Sequence, residues 1–446
     1  MRRASFRRHG SFRGGIDLPE ETHRTLHAPI RPAPPLECLR ISLVPGGRSP
    51  AELIVSPGSR VSAGQCIARA SDETGVDIFA PCSARLGETT TCPAADRDGF
   101  VEQAVVELTE LPESQQIRTL TPVFDWRAAT REELLARLLQ GQLVTFTRRV
   151  QPLAQWVRRA MDRRCSTLLC NGMEHEPYVT STHSLLKYHG PEIARGLAIL
   201  AGAMGIDDVS LAVDARYQDD YQDIVAPTQT YGIEGYSLPS KYPISAENVL
   251  IMVLTGREVP VNGSPMDLSV AVVDPATCFA VYRWVACDQR CTHRVVTVSG
   301  PRIDDPGNYW VPFGADCHEL LGNGEQPLIH GGPMVGKRIV DRSVVNASTD
   351  ALLAIDAPIP HVPTPCIRCG WCTDHCPARL NVAALNDAFE LGDVAYADRA
   401  GAMACVECGL CSYVCPARLA LSQRVRRLKR NLFFLRHRAA MDKGGK

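Results

Sequence analysis

Cys366, Cys369, Cys372 and Cys376 are followed at once by Pro377, and 39 positions later Cys405, Cys408, Cys411 and Cys415 are followed by Pro416. Both runs read C-x2-C-x2-C-x3-C-P, with one offset for all four cysteines. This is the spacing of bacterial ferredoxins, and it predicts two [4Fe–4S] clusters. Three closely spaced thiolates cap three irons of a cubane. The fourth iron takes its thiolate from elsewhere, and in two-cluster ferredoxins that is the last cysteine of the other run. The expected sets are therefore Cys366, Cys369, Cys372 and Cys415 for one cluster, and Cys405, Cys408, Cys411 and Cys376 for the other. The alternatives are a pair of zinc knots or a disulfide cluster. Zinc sites call for neither the third cysteine at x2 nor the proline after the last.

These residues need elements to hold them. Between the runs, Val382, Leu385 and Phe389 fit one helical face, which predicts an α-helical ferredoxin domain over 366–420. A linker over 356–365 leads into it, because four prolines between Ala357 and Pro365 favour an extended chain. A basic tail over 421–446 follows, with Val425, Leu428, Leu432 and Leu435 on a single face. It reads equally as a helix packed on its own domain and as a docking element.

With 446 residues and 45% hydrophobic content, the chain has enough material for several cores. A net charge of −1 gives no global signal for nucleic acid. Of the 18 cysteines, ten lie outside the two runs without metal spacing and read as small buried hydrophobes. Free thiols beside cluster ligands fit a reducing compartment, hence the cytoplasm. No apolar stretch is long enough to predict a transmembrane helix. Met1 to Gly15 carries Arg2-Arg3 and Arg7-Arg8 with no hydrophobic region behind either pair, so a flexible basic arm is expected rather than a secretion signal.

The remaining pattern is α/β and α+β multidomain. Over 30–115, short strands broken by Gly and Pro resemble the barrel-sandwich hybrid of lipoyl carriers. The hairpin that would present a carrier Lys is Asp72, Glu73, Thr74 and Gly75, so covalent attachment is not expected. Over 125–260, helices such as Arg131–Leu139 and 192–204 alternate with strand candidates at 167–170 and 209–213, which predicts an α/β core. Over 265–330, strands around a short helix resemble a soluble-ligand-binding β-grasp module.

Taken in order, several segments resemble the C subunit of the Rnf electron-transport complex, a membrane-bound NAD–ferredoxin oxidoreductase coupled to ion transport. They are Gly14-Gly15-Ile16, the stretch from Asn171 to Thr180, Lys241-Tyr242-Pro243, Thr255 to Pro260, Gly331 to Gly336 and both cysteine runs. The resemblance spans nearly the whole chain. It implies an α/β core like the flavin- and NADH-binding subunit of respiratory complex I. It also implies a peripheral place on the cytoplasmic face of the bacterial inner membrane, beside other subunits of the complex and ferredoxin. Electrons would pass between NAD(H), FMN and the two clusters.

One departure bears on that implication. The family places a glycine-rich loop where bare backbone amides approach FMN and the dinucleotide, because any Cβ would collide there. The matching stretch, Gln142 to Pro152, contains no glycine. The stretches Asp214–Asp220 and Asp274–Thr277 have also drifted. Glu174 and Glu176 stand where the family's pocket carboxylates sit and are the candidate dinucleotide contacts; the alternative is that they cap the loop after a strand. Arg148 and Arg149 are candidate phosphate contacts, or simply solvated. Three functions compete: an NADH-dependent redox subunit of an Rnf-type complex, a non-catalytic cluster relay or scaffold in such a complex, and a soluble corrinoid-reductase-like flavoprotein. Loss of the glycine loop favours the relay over both flavin options.

Overall fold

In the computed structural model, which describes residues 6–444 apart from 48, 97–98, 114–115, 148, 175, 323–326 and 357–361, the expected α/β core is a five-stranded parallel sheet. Its order is Arg7–Arg8, Glu234–Leu238, Asp208–Asp214, Thr167–Gly172, Val270–Val273. The three strands from Asp208, Thr167 and Val270 are buried almost throughout, as strands covered on both faces must be. Parallel neighbours need crossovers, and the helices Ser181–Met204 and Gln222–Thr230 supply them. Helix Pro275–Cys287 lies so close to Ser181–Met204 that a Cβ on Gly196 would overlap the Cys278 carbonyl, so only glycine fits there.

The chain divides into two compact units, and this sheet belongs to the first: Met1–Arg8, Glu20–Leu238 and Ser269–Ala357. The same unit holds a four-stranded antiparallel sheet of Leu39–Ser42, Gly99–Thr109, Ala84–Asp96 and Arg60–Val61. A three-stranded sheet of Glu52–Leu53, Cys66–Arg69 and Ile78–Phe79 accompanies it. Leu39, Ile67, Leu86 and Leu108 form the core of this barrel-sandwich part. Asp72 closes its hairpin as an Asx turn, accepting from the Thr74 amide at 2.7 Å. A six-stranded mixed sheet runs Lys337–Arg338, Leu328–His330, Ala351–Ala354, His293–Ser299, Gly307–Pro312, Ile30–Pro32.

Three expectations are corrected here. Arg7 and Arg8 are not in a free arm. They form an edge strand of the parallel sheet, because Phe6 buries its ring beside Gly235, where no Cβ stands in the way. The expected β-grasp start at 265 falls inside other structure: Val270–Val273 completes the parallel sheet, and its four residues are buried for that reason. The mixed sheet also takes strands beyond 330 and before 33. The expected core end at 260 shifts too, since Pro239–Leu268 clusters with the second unit.

The second unit comprises His9–Pro19, Pro239–Leu268 and Pro358–Lys446. Its helices include Val382–Leu391, Val394–Arg399 and the terminal Leu421–Gly444. Asn381 caps the first, accepting from the Ala384 amide at 3.1 Å, and Gly392 ends it in the left-handed conformation. Asp393 caps the second through the Tyr396 amide at 2.8 Å. The terminal helix is not a detached tail. Leu421, Val425, Leu428 and Leu432 close the same core as Leu380 and Leu385. Leu435 does not join them and is exposed, although the next residue, Arg436, still pairs with Asp398 of the second helix. Of the expected linker, residues 357–361 lie outside the described residues.

Candidate iron–sulfur centre

The 39-residue repeat is a repeat of backbone as well as of sequence. Arg368 and Glu407 occupy matching positions with φ 58° and 59°, and Arg379 and Arg418 with φ 55° and 53°. Gly370 and Gly409 have φ 84° and 81° and start one-turn helices, Trp371–Asp374 and Leu410–Tyr413. Such turns change the chain direction between neighbouring cysteines of each run. Non-glycine residues at positive φ cost energy, so two loops with the same costs point to a shared constraint.

The thiols sort into two groups. Those close enough for their charge to bear on Cys372 are Cys369, Cys415 and Cys366. Those bearing on Cys411 are Cys405, Cys408 and Cys376. Each group holds three cysteines of one run and the last of the other. Burial pushes the Cys405 thiol up to about 11 and the Cys408 thiol up to about 12, against the lowering effect of nearby backbone amides. Burial raises Cys376 as well. A buried thiol of high pKa becomes a thiolate only if a metal takes the proton's place. Backbone amides already point at sulfur: Glu407 N donates to Cys405 Sγ and Leu380 N to Cys376 Sγ, both at 3.4 Å. Sulfur-only donors, paired loops and amide-to-sulfur bonds together fit cluster ligation. Among the described residues, no three His, Cys, Asp or Glu converge tightly enough for a single metal ion.

Segments distant in sequence brace these loops. Gly15 N donates to His375 O at 2.9 Å, and a Cβ on Gly14, at φ 82°, would press on the Cys376 carbonyl. Ile16 and Tyr242 exchange backbone hydrogen bonds of 3.1 and 2.9 Å. The Tyr242 hydroxyl then donates to the Cys408 carbonyl at 2.6 Å. The sequence marked Gly14-Gly15-Ile16 and Lys241-Tyr242-Pro243 as family segments but held no sign that they meet at the cysteine loops.

The flavin and dinucleotide candidates are placed differently. Residues 143–145 lie against residues 151–153: Leu153 N donates to Leu143 O at 2.8 Å and Thr145 N to Gln151 O at 2.9 Å. The Phe146 amide donates to Thr277 Oγ1 at 3.0 Å, and Thr277 Oγ1 in turn donates to Asp274 Oδ2 at 2.6 Å. Val144 and Phe146 are buried against Val76, Ala280 and Ala347. Both side chains are buried, and the amides of Thr145 and Phe146 are already bonded within the protein. This stretch does not fit a phosphate or flavin cradle.

Glu176 is buried, and its Oε2 accepts from the amides of Met334 and Val335 at 2.6 and 3.2 Å. Glu174 Oε2 accepts from the His183 amide at 3.2 Å. Both carboxylates thus cap backbone. Asp214 binds Arg216 through two guanidinium contacts of 3.3 and 3.0 Å. Asp274 caps helix Pro275–Cys287 through the Thr277 amide at 2.8 Å, and burial raises its pKa. Arg149 is exposed, and Arg148 lies outside the described residues.

Comparison with known proteins adds three family matches. Residues 10–110 match the RnfC barrel sandwich hybrid domain, 151–283 the Nuo51 FMN-binding domain, and 359–426 a 4Fe-4S dicluster domain. The Nuo51 match begins at 151, after most of the glycine-free stretch. The chain is 33% identical to the C subunit of the ion-translocating oxidoreductase complex of Rhodobacter capsulatus, over 88% of this chain and 78% of that one. It is 31% identical to the protein of the same name from Pseudomonas aeruginosa and 30% to that from Pasteurella multocida. Those alignments take in 86% and 83% of this chain but only 50% and 45% of theirs, so the chain spans about half the length of those relatives. A solved NAD+-reducing [NiFe]-hydrogenase in the H2-reduced state aligns at a TM-score of 0.46 and 16% identity, over 68% of this chain and 61% of that one.

Proposed function

This chain belongs to the family of C subunits of ion-translocating oxidoreductase complexes, and from that premise we propose that it is a peripheral electron-transfer subunit of such a complex, passing electrons through two [4Fe–4S] clusters. The observation that carries this reading is the pair of matching cysteine loops with their two groups of thiols. The ligand sets cross, each cluster taking the last cysteine of the other run. Partner subunits hold the chain at the cytoplasmic face of the membrane. No helix among the described residues is long and apolar enough to cross a bilayer.

Within that role the chain is a relay and not the site of NADH oxidation. The bonded amides of Thr145 and Phe146, and the capping duty of Glu174 and Glu176, favour this over a working flavin and dinucleotide pocket. The test is reconstitution of the anaerobically purified chain with FMN, then addition of NADH or dithionite. The relay reading expects dithionite to bleach the clusters, taking up roughly two electrons per chain, one for each cubane. It expects no stoichiometric FMN and no bleaching by NADH. Stoichiometric FMN with rapid NADH-driven bleaching would overturn the relay reading and restore the flavoenzyme.

A further inference from the structure

The two cysteine loops match in spacing, in backbone dihedrals and in their one-turn helices. Two like loops would hold clusters of like potential unless their surroundings differ, so what breaks this symmetry decides how the two clusters share electrons. Around the second run, two side chains donate to ligand carbonyls. Tyr242 Oη reaches Cys408 O at 2.6 Å, and Lys429 Nζ reaches Cys405 O at 2.7 Å. Lys429 also pairs with Glu407 at 2.6 Å, and Arg426 joins the same carboxylate at 3.3 Å. Two cations and one carboxylate leave the neighbourhood net positive.

The matching positions of the first run lack both donors. Among the described residues, no side chain donates to the carbonyl of Cys366 or Cys369. Arg368 stands where the second run has Glu407, and it points away to Asp387 at 2.7 Å. Cys369 is exposed, whereas its counterpart Cys408 is half-buried. Tyr242 comes from a segment more than a hundred residues before the loop. It is held in place by its backbone exchange with Ile16 and by Lys241, whose Nζ donates to Phe12 O at 2.9 Å.

We infer that Tyr242, assisted by Lys429, is a positioning residue that raises the reduction potential of the second-run cluster relative to the first. This rests on the two-cluster reading above. Reduction adds negative charge to the cluster and its thiolates. A hydroxyl proton and an ammonium aimed at the ligand peptides favour that charge, and outer hydrogen bonds are a recognised lever on cluster potential. Removing either donor should lower the potential of that cluster alone. Tyr242→Phe is a mild probe, since it deletes one hydroxyl and keeps the ring.

The experiment is a potentiometric titration of the full chain, followed by electron paramagnetic resonance, for wild type, Tyr242→Phe, Lys429→Gln and Lys429→Arg. The second-run signal is the one that Cys411→Ser alters. The expected result is a downward shift of that signal in Tyr242→Phe and Lys429→Gln, recovery in Lys429→Arg, an unmoved first-run signal and unchanged iron content. Wild-type protein without any cluster signal would sink the two-cluster reading itself. Two wild-type clusters with unmoved potentials in both Tyr242→Phe and Lys429→Gln would leave that reading standing and overturn this inference. Equal shifts of both clusters, or loss of iron, would also overturn it, because they would mark Tyr242 as a general brace.

Discussion

Cys376 closes the first run in sequence, yet its charge bears on Cys405, Cys408 and Cys411. Replacing it with Ala should therefore disturb the cluster of the second run and spare that of the first. Spectra in which the first-run cluster changes would show that the ligand sets do not cross. The expectation for the cysteines rests on a local pattern, since spacings of two and three residues mark the three sulfurs of each run that would share an iron core, whereas the fourth must come from the other run. Glu176 was not legible in the same way. By sequence it reads either as a pocket carboxylate or as a cap of the loop after a strand, and the amides it bonds, at 334 and 335, lie far along the chain. The same holds for Thr145 and Phe146, where the missing glycines were visible but the reason that matters was not. The expectation concerned side-chain bulk, and the structure adds that the amides of Thr145 and Phe146 are already bonded.

At the scale of elements, the terminal helix shows what periodicity can and cannot say. Val425, Leu428, Leu432 and Leu435 share a helical face by spacing alone. Only the first three are buried, because spacing names a face without saying which of its residues meet apolar neighbours. Leu428→Ala should cost roughly 2–4 kcal/mol, the usual range for truncating a buried leucine in a core that relaxes only partly. Leu435→Ala should stay within about 0.5 kcal/mol, as exposed substitutions do. Anaerobic denaturant unfolding of the two variants checks this, and equal losses would mean the helix packs along its whole face. The strand Val270–Val273 carries a related lesson. Four apolar residues read as strand, but nothing local says which sheet receives them. Parallel pairing with Thr167–Gly172 decided that, and moved the expected module boundary.

For the whole molecule, the order of segments was legible and their grouping was not. Family segments at 14–16, 171–180, 241–243 and 331–336 could be recognised one by one. Two of them, at 14–16 and 241–243, meet at the cysteine loops, while Glu176 of a third is capped by the loop of the fourth. Grouping of this kind depends on contacts across hundreds of residues, which composition and period do not encode. An architecture of this kind should carry two cubane clusters. Iron, acid-labile sulfide and zinc analysis of the anaerobically purified chain tests it most directly. Roughly eight irons and eight sulfides per chain, without zinc, is the expected result, as two [4Fe–4S] clusters require. Stoichiometric zinc with no labile sulfide would contradict it.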